Sequence, residues 1–132
     1  LLWGHDGASL TVGLQPYVEN IPGIPNRLHR VWKASELGGD VGTVTITFYL
    51  DVLAGFTLFN QNDLVLLIDS DDGDFSNCTQ IESGRTYNSV TGELTFTAVN
   101  FNNDQWFTIG TKSWLNPLPI ELLTFTVSPL NE

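Results

Sequence analysis

Methionine is absent from this chain, and cysteine occurs once, as Cys78. One thiol excludes an internal disulfide, so a packed core has to hold the fold together. Basic residues are scarce too. Lys and Arg number 5 against 15 Asp and Glu, for a formal charge of −10. A nucleic-acid binder needs a basic stripe to displace counterions from phosphate. Here only Arg27, Arg30 and Lys33 gather, while Arg85 and Lys112 are isolated. Nucleic acid is thereby excluded as a partner, and an anionic membrane surface is disfavoured for the same reason. No apolar run reaches the roughly 20 residues that span a bilayer, so membrane insertion is not expected. No signal peptide is visible. Helical periodicity over a dozen residues is also missing. The charge favours a cationic partner or a divalent metal.

What is present is alternation. With 132 residues, the chain suits one domain that buries roughly two-thirds of its unfolded surface. In "VGTVTITFYLDV", Val44, Ile46, Phe48, Leu50 and Val52 point one way, and Thr43, Thr45, Thr47, Tyr49 and Asp51 the other. That is a strand with one dry and one wet face. "ELTFTAV" places Leu94, Phe96 and Ala98 on one face after a Thr91-Gly92 turn. "DLVLLID" is apolar on both faces and reads as a central, buried strand. "ASLTVGL", "RLHRVWKAS", "QWFTIGT" and "PIELLTFTV" complete the set, separated by Gly, Pro and Asn turns. The expected class is all-β: an antiparallel β-sandwich, jelly-roll or Ig-like, of seven to nine strands, with a barrel as the alternative. "VENIPGIPNR" reads as a long ordered loop. Residues 1–116 are expected to form the sandwich module. Residues 117–132 hold Pro117, Pro119 and a final strand, either part of this core or the lead into a following domain.

The chemistry-bearing stretch is "LLIDSDDGDFSN". An apolar run stops and Asp69, Asp71, Asp72 and Asp74 follow within six positions. Calcium takes six to eight oxygen ligands, mostly carboxylates and carbonyls, which such a loop supplies. The spacing is not that of an EF-hand, because neither reading frame has a glutamate at the twelfth position. Two readings stand: a strand-to-strand Ca2+ site made by the four aspartates, or a solvated polar turn. Asn102, Asn103 and Asp104 form a second polar turn, and His5 with Asp6 a third. Zinc would require a second His or Cys within reach of His5. Cys78 reads as a small hydrophobe and not as a nucleophile. No nucleophile elbow, metalloprotease or phosphate-loop motif occurs, so no enzyme is expected. Trp32 and Trp106 lie in strand patterns and read as core. Trp114, and after it Trp3, are the candidates for stacking on a sugar ring.

Five stretches carry a likeness: "LLWGHDGASLT", "NRLHRVWKASELGGDVGTVTITFYL", "LVLLIDSDDGDFSN", "FTAVNFNNDQWFTIGT" and "PLPIELLTFTV". They resemble a module of large secreted and cell-surface proteins of Bacteroidota. In those proteins a segment like "PLPIELL" commonly stands just before the C-terminal region used by the type IX secretion system. The resemblance implies an extracellular or surface location and a non-enzymatic structural or adhesive role. Its partners would be neighbouring domains of a longer chain, and a glycan or another surface protein. It carries no catalytic residues. Two alternatives remain at this point: a carbohydrate-binding module, and a subunit of an extracellular fibre whose terminal strands pair with neighbours.

Overall fold

The computed structural model describes residues 2–5, 19–28, 30–36, 38–50, 60–113 and 122–129. They contain nine strands of three or more residues. These are β1 (Leu2–His5), β3 (Trp32–Ser35), β4 (Thr43–Leu50), β5 (Leu64–Asp69), β6 (Thr79–Ile81), β7 (Arg85–Asn88), β8 (Glu93–Asn100), β9 (Trp106–Thr111) and β10 (Leu122–Pro129). A two-residue strand, β2 (Asn26–Arg27), adds to them. Every pairing is antiparallel. One sheet runs β1-β3-β9-β5-β6, with β2 also on β9, and the other runs β10-β4-β8-β7. The two pack face to face, as the alternating pattern requires. The fold is the all-β antiparallel sandwich. "ASLTVGL" lies outside the described residues.

The core between the sheets is built from the dry rows. Val44, Ile46, Phe48 and Leu50 of β4 meet Leu64, Leu66 and Ile68 of β5, and Leu94 and Phe96 of β8 join them. Trp32 ties the layers together. Its ring stacks on Phe107 of its own sheet at 5.8 Å and tilts against Phe48 of the other at 6.0 Å. A second, smaller core lies on the outer face of the first sheet. There Val65 and Leu67 are covered by Ile21 and Ile24 of the proline-containing loop and by Phe75. This is why all six residues of β5 are buried. Gly110 of β9 makes the close approach possible. A Cβ there would sit 2.7 Å from Ile24 Cγ2 and 2.9 Å from Leu67 Cδ1.

One face assignment differs from the expected alternation. Ala98 was expected beside Leu94 and Phe96, but it is exposed and has φ 57°, and Val99 takes the core position. The β4–β8 register shifts between Val44 and Ile46. A bulge adds one residue to one strand, and every side chain beyond it changes face. The final strand pairs along β4 from Leu122↔Leu50 to Pro129↔Val44, and Val127 packs on the main core. β10 is therefore a strand of this sandwich. Among the described residues, helix is confined to 3-10 turns at Gln61–Asp63 and Phe75–Asn77. Among the described residues, no helix is long and apolar enough to cross a membrane.

Candidate functional site

β5 ends at Asp69, and the chain turns at once through residues 70–74 into the 3-10 turn Phe75–Asn77. The turn is held by Asp69, whose side chain is only 1% exposed. Its Oδ2 accepts the backbone N–H groups of Gly73 at 2.7 Å, Asp72 at 3.0 Å and Asp71 at 3.4 Å. A buried carboxylate is costly unless donors surround it, and the turn supplies them. Each following aspartate also binds the backbone ahead of it. Asp71 Oδ1 accepts from Asp72 N (2.8 Å), Asp72 Oδ1 from Asp74 N (2.9 Å), and Asp74 Oδ1 from Ser76 N (2.8 Å). The last of these caps the 3-10 turn. Phe75, directly after it, plugs the second core with 0% exposure.

Of the four aspartates singled out by sequence, three come together. Asp69, Asp71 and Asp72 can each place a carboxylate oxygen within 4.8 Å of the others. Ligands on opposite sides of a calcium ion, each 2.3–2.6 Å from it, span about that distance. Asp74 is exposed and serves as the cap instead. Asn77 is a neighbour that the sequence pattern did not single out. In one orientation its amide donates to Asp71 Oδ2 at 3.3 Å. Turned over, it donates to the Asp74 carbonyl at 3.1 Å and to Asp69 Oδ1 at 3.0 Å. The donor set is all oxygen, which suits a hard cation and not zinc.

The charges are tuned by the same bonds. Desolvation, the largest single influence, pushes the Asp71 carboxyl up, but hydrogen bonds with Asn77, Asp69 and Asp72 together outweigh it, and the group ends below its ordinary value. The Ser76 backbone N–H, then its side chain, holds Asp74 low; the Asp71 charge opposes them, and Arg27 adds to them. Arg27 lies over the Phe75 ring at 5.2 Å and pairs with Glu19 at 2.7 Å.

Other loops brace the acidic turn. Gln105 Nε2 donates to Ser70 Oγ at 3.0 Å, while its Oε1 accepts Asn102 N at 2.7 Å. Asn103 Oδ1 accepts Glu36 N at 2.8 Å and links the next loop. Gly73, at φ 83°, lies against the Trp106 indole, so a Cβ there would sit 3.5 Å from the ring. Lys33 Nζ is 4.9 Å from the same ring and pairs with Asp104 at 3.8 Å. The second polar turn thus supports the first. Gln105 and Asn77 carried no sequence signal, because a lone amide has no periodicity or spacing by which to find it.

The remaining candidates do not join this cluster. Trp114 lies outside the described residues, as does the side chain of Trp3; only its place in β1, opposite Ala34, is described. The side chain of His5, and all of Asp6 and His29, are likewise outside them. Trp32 is core and Trp106 is partly buried against the second core. Cys78 is partly buried on that same core, and its desolvation, with the Asp69 charge, pushes the thiol up to about 11. At neutral pH it is protonated and a poor nucleophile.

The fold and site define an all-β sandwich with an acidic, hydrogen-bonded turn at one end of the buried strand β5. Over residues 1–105 the chain matches a family described as a domain of unknown function, DUF8202, and it belongs to that family. The match ends one residue before β9. No curated protein and no solved structure matches the chain.

Proposed function

We propose that the chain is a non-enzymatic structural module of a large secreted or cell-surface bacterial protein, stabilised by Ca2+ at the turn Asp69–Asn77. The carrying observation is the meeting of the Asp69, Asp71 and Asp72 carboxylates within 4.8 Å on a preorganised turn. Asp71 and Asp72 are exposed and reachable by an ion, while Asp69 anchors the turn from below. The Bacteroidota surface-protein context and type IX export rest on the sequence resemblance, which also supports an adhesive role beside neighbouring domains. A secreted module meets millimolar calcium. At the ~0.1 mM affinity typical of extracellular modules, the ion is about tenfold over its dissociation constant. Linkage then contributes roughly 1.4 kcal/mol.

The test is a thermal melt of the chelator-stripped chain with and without millimolar calcium. A rise of about 5 °C is expected, with none for Asp71→Asn/Asp72→Asn. A melting temperature indifferent to calcium would return the loop to a solvated turn.

A further inference from the structure

Four strands bound the two sheets among the described residues: β1 and β6 in the first, β10 and β7 in the second. Three of these edges are short, at four, three and four residues. β10 has eight residues and, among the described residues, pairs on one side only, with β4. A free edge presents a row of backbone donors and acceptors. Proteins guard it with charges, above all Lys, with proline, or with bulges. β10 has little of this protection. No charged residue occurs in Leu122–Pro129, nor in its neighbour Thr43–Leu50, in a chain with 15 acidic and 5 basic residues. Its proline is the last residue, Pro129. Its register shift falls at the start, between Leu122 and Thr124, and from Thr124 to Pro129 it matches β4 residue for residue. Thr126 and Ser128 are exposed, and Val127 between them leans on the core.

We infer that β10 pairs antiparallel with β10 of a second copy, across a two-fold axis at Thr126, joining the two four-stranded sheets into one of eight strands. The strand is its own complement. Under a two-fold axis an antiparallel strand meets itself, with threonine opposite threonine. The sheet already uses such a pair, with Thr47 Oγ1 and Thr95 Oγ1 3.0 Å apart. Two copies that each carry a charge of −10 repel, and that repulsion is least along an edge without charges. Main-chain hydrogen bonds supply the attraction, as in strand addition generally. The pairing is independent of calcium.

The experiment is sedimentation velocity of the full chain over rising concentration, beside Thr126→Lys. The parent is expected to shift from monomer to dimer. Thr126→Lys, which puts two lysines face to face at the axis, is expected to stay monomeric with an unchanged melting temperature. Should that variant not fold, Thr126→Cys in a Cys78→Ala background gives the second readout. Mild oxidation is expected to link it into covalent dimers, while Thr86→Cys, on the opposite edge of the same sheet, stays unlinked. A parent that is monomeric at every concentration overturns the inference. So do a dimer that survives Thr126→Lys, a Thr126→Cys variant that does not link, and a ladder of larger species.

Discussion

β4 and β5 are successive strands in opposite sheets, and they are buried in different ways. β4 alternates strictly: Thr43, Thr45, Thr47 and Tyr49 are partly exposed, and Val44, Ile46, Phe48 and Leu50 are buried. β5 is buried at all six positions. Both strands feed the same inner core. The difference lies behind them. The outer face of β5 is roofed by Ile21, Ile24 and Phe75, while the outward row of β4 keeps threonine hydroxyls in partial contact with solvent. The period of a strand thus reports how many layers it touches, and the short loop 19–28 acts as a third layer where helices would serve in a larger fold.

The largest test of this comparison is truncation. A chain ending at residue 105, where the family match stops, loses β9, which lies between β3 and β5 in the first sheet. It is expected to show no cooperative transition in urea. Next, Leu67→Ala on the roofed face is expected to cost about 3 kcal/mol, and Thr45→Ala on the open face about 0.5 kcal/mol or less. Urea melts read both, and equal costs would refute the three-layer account. Smaller effects separate the aspartates within the turn. In metal-free protein, Asp69→Ala leaves the Asp71 and Gly73 N–H groups without their acceptor, while Asp72 N keeps Asp71 Oδ1, and is expected to cost about 2 kcal/mol. Asp74→Ala removes only a cap and is expected to cost less than Asp69→Ala. The Asp74 carboxyl lies below its ordinary 3.8. A lowered carboxyl stabilises the fold above its unfolded value, and that stabilisation is lost as pH falls through the folded one. The gap between Asp74→Ala and the parent is therefore expected to be full at neutral pH and to close below pH 3.8. A gap that persists in acid would show that Asp74 acts through something other than its charge.

The turn itself was legible as a crowding of carboxylates, because four aspartates follow an apolar strand within six positions. The division of labour among them was not. Asp69 and Asp71 look alike in the sequence. One is buried and gathers three backbone donors, while the other is exposed and faces solvent and Asn77. That difference arises because Asp69 is still on β5 when the chain turns, and its side chain falls under the turn. The brace from Gln105 to Ser70 joins residues 35 apart in sequence, and no local pattern announces such a contact.

By itself the sequence determined the class of fold. Period-two alternation, frequent turn residues and the lack of helical periodicity leave an antiparallel all-β fold, because a sandwich or a barrel buries one face of many short strands. It also determined where carboxylates crowd and that no disulfide holds the core. Only the tertiary structure decided that Ile21 and Ile24 roof β5, that Val99 and not Ala98 enters the core, and that β10 closes onto β4. Those outcomes depend on register and on contacts between distant segments. The backbone hydrogen bonds that set register are the same for every sequence, so a bulge or a long-range pairing leaves little local trace in the residues that make it.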